Sequence, residues 1–191
     1  MKKFTIDLVR CGIVPEVLEE DLVEGASGGG ELLGTTGVQG MLASMGSNRD
    51  FVPITDEQLK AYEKADYLVF ADRAVVLRVG EPNAELDQLI GTEGATTAAF
   101  ITAANPRGEQ RSDNENGVAN AALQSFVSAA GYPHYWGEGK DPFGSWAEPG
   151  FLVIGIYRAN AEALGQLFEQ NAIVFCEAGR APELIVLKGE K

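Results

Sequence analysis

The stretch TTAAFITAANP, residues 96–106, determines the architecture that the rest of the chain must complete. Residues 96–103 form a continuous apolar run of strand length, which is typical of a strand buried on both faces and therefore central in its sheet. The run ends at Asn105 and Pro106, a pair that favours a turn. We therefore expect the later elements to pack around this strand.

The elements after this strand alternate in a recognisable order. Ser112 and Glu115 are spaced as a capping box, which predicts a helix from there to residue 130. The pattern then predicts strands at 134–136 and 151–157, a glycine-rich loop at 137–146 between them, a helix at 160–170, and strands at 172–176 and 184–187. From 96 to 176 the order is that of a ferredoxin-like βαββαβ sandwich, an α+β fold with one antiparallel sheet and two helices on one face.

The chain before residue 96 divides into two parts. Thr55 is placed to cap a short helix, and residues 66–71 and 74–79 flank Asp72-Arg73 with the spacing of a hairpin; a helix is predicted at 84–90. Residues 1–50 are different because the glycine-rich run 25–30 interrupts any regular element. We predict a glycine-rich N-terminal extension or flap at 1–50 and a single α+β domain at 54–187.

Charge and hydropathy exclude several classes of protein. The chain has 191 residues and a formal net charge of −13, which argues against direct nucleic-acid binding, since phosphate backbones require clustered Lys and Arg. Its longest apolar stretches fall well short of the roughly 20 residues that span a bilayer, so no membrane association is expected. The first residues lack the pattern of a secretory signal. We therefore expect a cytoplasmic protein.

Cysteine and histidine are scarce. Cys11, Cys176 and His134 are too few for the familiar zinc clusters, which take about four ligands from these residue types, and we expect no metal and no cofactor. Cys176 lies in an apolar run, which favours a buried, inert thiol. A disulfide with Cys11 and a nucleophilic Cys–His pair are open alternatives.

The predicted topology gathers polar residues at one pole of the sheet. The end of the first strand, the start of the first helix, the loop between the second and third strands and the end of the second helix should lie together there. His134 should lie at the opposite pole. The residues that we expect at this pole are Asn105, Arg107, Asn116, Trp146, Glu148, Gln170 and Asn171.

These residue types suit ligand recognition. Amide side chains read hydrogen-bond patterns, a helix N-terminus and Arg107 favour an anionic group, and Trp146 offers a stacking face. Glu148 is the candidate catalytic residue because partial burial raises a carboxyl pKa toward a working range. Structural roles are the alternative: Asn105 in a turn, Asn171 as a left-handed helix cap and Trp146 as a hydrophobic lid.

Six stretches of the chain together form a specific pattern: LRVGEP (77–82), AFITAANP (99–106), NGVANAAL (116–123), GEGKDP (137–142), WAEP (146–149) and FEQNAI (168–173). On these stretches the chain resembles, from about residue 54 to 187, the bacterial family catalogued as domain of unknown function 3293. Two positions depart from the pattern we expect: Gly108 stands where a serine would follow the Asn-Pro pair, and Ala119 replaces an arginine in the first helix. The resemblance implies the domain boundary and these site positions but no reaction.

The sequence thus supports two hypotheses on function. The first is a domain that binds a small polar or anionic, nucleotide-like metabolite at the Asn105 pole, with possible hydrolytic or transfer chemistry through Glu148. The alternative is a protein-interaction or inhibitor module that uses the acidic surface and the N-terminal extension. Whether the chain is an enzyme is left open.

Overall fold

The computed structural model describes residues 54–144 and 146–187. The predicted N-terminal extension at 1–50 and Cys11 lie outside the described residues. Four α-helices and seven strands make up the described part. The helices are α1 (Asp56–Lys64), α2 (Ala84–Thr92), α3 (Asp113–Ala129) and α4 (Arg158–Leu167); the strands are β1 (Asp66–Phe70), β2 (Ala74–Leu77), β3 (Thr97–Ile101), β4 (His134–Lys140), β5 (Ala147–Ile154), β6 (Ala172–Glu177) and β7 (Glu183–Val186).

The strands form one antiparallel sheet in the order β2-β1-β4-β5-β3-β6-β7. This confirms the α+β class and the interior position of the strand that contains Phe100. Strands β4, β5, β3 and β6, which correspond to the four strands of the predicted sandwich, are neighbours in the sheet. The sheet continues beyond them, with β1 and β2 beside β4 and with β7 beside β6.

Helices cover both faces of the sheet. Leu86 and Ile90 of α2 belong to a buried cluster that includes Phe100 and Leu152. Residues that alternate with these along the strands face the other way. That second face carries the two helices of the predicted sandwich: α3 contacts β5, and α4 contacts β3 and β6. The prediction placed helices on one face only, and α2 adds the second layer.

Local signals account for where the helices begin. Thr55 and Ser112 are both helix caps, as predicted. Ser112 forms the predicted capping box with Glu115, and Thr55 forms one with Gln58 as well: in each, the cap side chain accepts from a main-chain nitrogen and the Gln58 or Glu115 side chain accepts from the main-chain nitrogen of the cap. These bonds satisfy donors that the first turn of a helix leaves unpaired. The predicted hairpin is also present, but Phe70 pairs with Ala74, so its turn has three residues, Ala71 to Arg73, and not the two that were predicted.

The largest difference from the predicted elements lies in β4 and β5. The segment from Gly137 to Lys140 was predicted as loop but continues β4, because β1 pairs with it on its outer side. A Cβ atom on Gly137 would lie 2.3 Å from the carbonyl oxygen of Leu68, so glycine is what lets the strands approach. As a result β5 begins at Ala147, and Glu148 is a strand residue.

The end of α4 corrects a second prediction. The helix ends at Leu167, and the residue with left-handed backbone is Glu169, with φ of 54°. Asn171 is therefore not the left-handed cap; it immediately precedes β6. Among the described helices, none is long and apolar enough to cross a bilayer.

Candidate functional site

A gap in one row of side chains creates the site. Tyr67 of β1 pairs with Gly139 of β4, and Gly139 pairs with Glu148 of β5, so the three residues stand side by side across the sheet. Directly opposed residues of antiparallel strands have Cβ atoms about 5 Å apart and point to the same face. Because Gly139 has no side chain, the Tyr67 ring can lean over it: a Cβ atom there would lie 3.2 Å from two carbons of that ring.

A cavity of about 40 Å³ is lined by these three residues. Tyr62 and Trp146 meet edge to face with their ring centroids 6.4 Å apart, and the rings of Tyr67 and Phe100 lie 5.3 Å apart. The volume holds roughly three water-sized groups, so it admits one functional group of a ligand and not a whole nucleotide. Its lining comprises Tyr62, Tyr67, Phe100, Thr102, Gly139, Trp146, Glu148, Gln170, Asn171, Ala172, Ile173 and Val174.

Glu148 lines this cavity and has one carboxylate oxygen without a partner among the described residues. Its Oε1 accepts a 2.7 Å hydrogen bond from Nδ2 of Asn105, while Oε2 has no partner among the described residues. No fully buried side-chain nitrogen or oxygen of the described part lacks a partner, so Oε2 reaches open space. Burial raises the pKa of the Glu148 carboxyl, and the bond from Asn105 opposes part of that rise.

Asn105 is held in place by a network of amides. It adopts left-handed backbone, with φ of 47° and ψ of 56°, which is uncommon for a residue with a side chain. Its main-chain nitrogen donates to Oδ1 of Asn116 at 2.9 Å. Its Oδ1 accepts from Nδ2 of Asn116 at 3.0 Å and from the main-chain nitrogen of Arg111 at 2.9 Å. With Oδ1 engaged in this way, Nδ2 is directed at Glu148.

Asn120 performs a similar role one helical turn further along α3. It is 2% exposed; its Oδ1 accepts from the main-chain nitrogen of Ala103 and its Nδ2 donates to the carbonyl oxygen of Pro149. The hydroxyl of Thr102 donates to the same carbonyl at 2.6 Å. Side chains therefore replace the sheet ladder where β3 ends, and they join α3, β3 and β5 directly behind Glu148.

Further polar side chains of the lining are also bonded within the protein. Nε2 of Gln170 donates to the carbonyl oxygens of Ala104 and Phe168, each at 3.1 Å. The hydroxyl of Tyr67 donates to the main-chain oxygen of Tyr62 at 2.9 Å, and the side chain of Asn171 bonds to the hydroxyl of Tyr62. Burial raises the pKa of both tyrosines, so both phenols are neutral near neutral pH.

Arg107 lies outside the cavity. Its guanidinium pairs with the carboxylate of Glu169, and its main-chain nitrogen donates to the carbonyl oxygen of Glu169 at 2.7 Å. The N-terminus of α3 is likewise occupied, since Ser112 and Glu115 cap it. No Lys or Arg is among the described residues that line the cavity. Arg107 and the N-terminus of α3, which predicted an anionic ligand, therefore already have partners outside the cavity.

The structure brings the predicted residues together in two groups. Trp146, Glu148, Gln170 and Asn171 line the cavity, whereas Asn105 and Asn116 form the network behind Glu148. Sequence reasoning missed Tyr62, Tyr67, Gly139 and the supporting role of Asn120. The spacing of Asn116 and Asn120, four residues apart on one helix face, is a signal that could have identified Asn120.

His134 and Cys176 take no part in the site. His134 pairs with Val153 at the far end of β5 from Glu148, which confirms the predicted opposite pole. Its ring packs against Phe151, whereas Cys176 belongs to the cluster on the other face of the sheet, so the two do not form a nucleophilic pair. Cys176 is fully buried as predicted, and burial raises the pKa of its thiol to about 12. The described residues contain no cluster of His, Cys, Asp and Glu suited to a metal ion.

Residues 101–173 match the family model described as "Protein of unknown function (DUF3293)". The match confirms the family resemblance. It runs from the last residue of β3 to the second residue of β6 and so includes Asn105, Asn116, Gly139 and Glu148. Comparison with curated proteins and with solved structures gave no match.

Proposed function

We propose that this domain binds a small polar ligand, one group of which enters the cavity over Gly139. The observation that carries the proposal is a carboxylate oxygen without a protein partner, Oε2 of Glu148, in a cavity walled by aromatic rings. Ligand sites typically combine apolar walls with a few fixed polar groups. The larger part of the ligand remains outside, since about 40 Å³ takes only a small group.

Support for a prepared site comes from how rigidly Glu148 is held. Asn105 has left-handed backbone and is held by three hydrogen bonds at its main-chain nitrogen and Oδ1. Together with buried Asn120, it fixes the β5 segment around Glu148. Uncommon backbone conformations cluster at binding and catalytic sites, where the surrounding structure enforces them. A solvated surface carboxylate would need no such support.

Binding is favoured over catalysis. Glu148 is the one carboxyl in the described lining, and the two tyrosines have raised pKa values that leave them without a charge to act as bases. General acid–base chemistry commonly needs a second positioned group or a polarising cation. The hydrolytic or transfer chemistry considered for Glu148 is therefore not part of the proposal.

Three finer features complete the proposal. We infer that β3, α3, β4, β5, α4 and β6 form a ferredoxin-like unit, which is supported by their chain order and by the sheet order β4-β5-β3-β6. The other strands and helices would then be additions to it. A bacterial origin is implied by the family resemblance, and a cytoplasmic location is expected from the sequence.

A thermal-shift screen of the full chain tests the proposed function. The library contains small amines, amino acids, sugar phosphates and nucleotides, and the variants are Gly139→Ala and Glu148→Gln. A Cβ atom on Gly139 would lie 3.2 Å from two carbons of the Tyr67 ring and 3.8 Å from the Trp146 ring, so it displaces the aromatic wall of the cavity without removing a polar group. Gly117→Ala on α3 is the matched control, because its Cβ meets open space.

The expected result is a ligand that stabilises the native chain and Gly117→Ala but not Gly139→Ala. At about a hundred times its dissociation constant a ligand adds about 2.7 kcal/mol, a readily measured shift. If Gly139→Ala does not fold, Glu148→Gln takes its place in the test, and the ligand should not stabilise this variant either. A library without any such ligand, or ligands that stabilise all variants equally, would overturn the proposal and favour the protein-interaction alternative.

A further inference from the structure

We infer that the group taken up by the cavity is a primary ammonium, so that the ligand is a small amine; this deepens the proposed function and rests on it. The inference depends on three properties of the lining: its charge, its unused hydrogen-bonding atoms and its size. Each property excludes a different class of ligand.

The charge of the lining is negative. Glu148 is the one carboxylate in the described lining, and no Lys or Arg accompanies it. Arg107, the one cation predicted for the site, is paired with Glu169 outside the cavity. The whole chain carries a formal net charge of −13, which raises the local concentration of cations and lowers that of anions. An anionic ligand would meet Glu148 with no cation to offset the repulsion.

Two of the hydrogen-bonding atoms that the protein leaves unused in the lining are acceptors. The amide nitrogens of Asn105 and Gln170 and the hydroxyls of Thr102 and Tyr67 all donate to other groups of the protein. Oε2 of Glu148 and Oε1 of Gln170 have no partner among the described residues. A complementary ligand group should supply donors. An ammonium group has three donors and no acceptor, which is the complement of these atoms.

The walls and the volume narrow the choice further. Tyr62, Tyr67, Phe100 and Trp146 place aromatic rings around the carboxylate, and aromatic faces attract cations through the ring quadrupole. The cavity of about 40 Å³ accepts a group the size of a few waters. A primary ammonium on an alkyl chain fits this volume, while a quaternary ammonium carries four carbon substituents and is too bulky to reach Oε2.

A set of matched probes tests the inference by NMR on the ¹⁵N-labelled full chain. The probes are n-butylammonium, n-butanol, butyrate and tetramethylammonium, titrated at constant ionic strength. The reporters are the main-chain amides of Gly139 and Glu148 and the indole N–H of Trp146. We expect n-butylammonium to shift these reporters saturably and the other three probes to leave them in place.

Two variants define the contact. Glu148→Gln keeps an acceptor for Asn105 but removes the charge, and it should weaken n-butylammonium binding about tenfold or more. Gly117→Ala should leave the affinity unchanged. Saturable binding of butanol, butyrate or tetramethylammonium in place of n-butylammonium, or equal affinity in Glu148→Gln, would overturn the ammonium inference and leave the proposed site intact.

If none of the four probes shifts the reporters, either the bound group is not an ammonium or the domain has no such binding site. The thermal-shift screen distinguishes these two cases. A screen ligand without an amine group, whose stabilisation is lost in Gly139→Ala, would then retain the binding function and overturn the ammonium inference, whereas an amine among the screen ligands would support both. A screen with no such ligand would overturn both.

Discussion

Asn105 and Asn116 exchange two hydrogen bonds. The main-chain nitrogen of Asn105 donates to Oδ1 of Asn116 at 2.9 Å, and Nδ2 of Asn116 donates to Oδ1 of Asn105 at 3.0 Å. The second bond fixes the orientation of the Asn105 amide, so that its own Nδ2 donates to Glu148. Asn116 thus acts on the cavity through Asn105, as a positioning residue.

Replacing Asn116 by alanine should therefore lower the stability of the fold. The main-chain nitrogen of half-buried Asn105 would lose its acceptor, and an unsatisfied buried donor costs about 1–3 kcal/mol. Urea denaturation measures the change in the free energy of unfolding. Asn114→Ala is the control because Asn114 is exposed on the first turn of the same helix. An Asn116→Ala protein as stable as Asn114→Ala would contradict the assigned role.

Replacing Asn120 by aspartate should lower the stability of the fold more than replacing it by alanine. Alanine leaves the main-chain nitrogen of Ala103 without its acceptor, at a cost of about 1–3 kcal/mol. Aspartate retains an acceptor for Ala103, but it sets a carboxylate oxygen against the carbonyl of Pro149 and buries a charge without a cation. We expect Asn120→Asp to be the less stable of the two at neutral pH.

Urea denaturation of both Asn120 variants at neutral and mildly acidic pH checks this order. Acid protonates the new carboxyl, which then donates to Pro149, so Asn120→Asp should recover part of its stability while Asn120→Ala does not. If Asn120→Asp lost stability on acidification as fast as Asn120→Ala, the Asn120 side chain would not bridge Ala103 and Pro149 as the structure has it.

Local patterns in the sequence were sufficient for much of the fold. The apolar run of β3, the capping box at Ser112 and the hairpin around Asp72-Arg73 each depend on residues within a few positions of one another, and each is present. The pole that collects Asn105 and Glu148 followed from the order of these elements. Their direct hydrogen bond joins residues 43 positions apart.

The parts that could not be predicted depend on register. Gly139 creates the cavity only because β4 pairs with β1 on one side and β5 on the other, and a glycine-rich segment read alone favours a loop. Tyr67 enters the site through the same pairing, and Tyr62 through the placement of α1. The left-handed residue after α4 was assigned to Asn171 because the helix was predicted to end three residues later than it does.

Alanine at Gly137 and at Gly117 should have opposite effects. A Cβ atom on Gly137 would lie 2.3 Å from the carbonyl oxygen of Leu68 and 2.7 Å from the Phe100 ring, so the strands must separate, at a cost of about 1–3 kcal/mol or more. Gly117 lies inside α3 with open space around it, and alanine there should stabilise the helix by about 0.5–1 kcal/mol.

Thermal and urea unfolding of the two glycine variants provide the comparison. Both substitutions add one methyl group and differ only in what it meets. Equal effects of the two would show that β1 and β4 are not held at the distance their pairing implies.

The pH dependence of stability should distinguish Glu148 from Glu115. Burial raises the pKa of Glu148 in the folded state, while Tyr62, Tyr67 and Asn105 around it supply no cation. Between the ordinary glutamate pKa and this raised value the folded chain binds more protons than the unfolded chain, so the free energy of unfolding falls as pH rises. Glu148→Gln removes this loss and should become more stable than the native chain as pH rises through that window.

Glu115 provides the opposite sign on the same fold. Its bonds with Ser112 lower its folded-state pKa, so its contribution is present above the ordinary glutamate pKa and is lost as pH falls through the lowered value. Urea midpoints of the native chain, Glu148→Gln and Glu115→Gln across mildly acidic to neutral pH measure both trends. With rising pH the native chain should lose stability relative to Glu148→Gln and gain it relative to Glu115→Gln. A difference between Glu148→Gln and the native chain that stays constant or shrinks with rising pH would mean that the Glu148 carboxyl is solvated, and the cavity would lose its fixed acceptor.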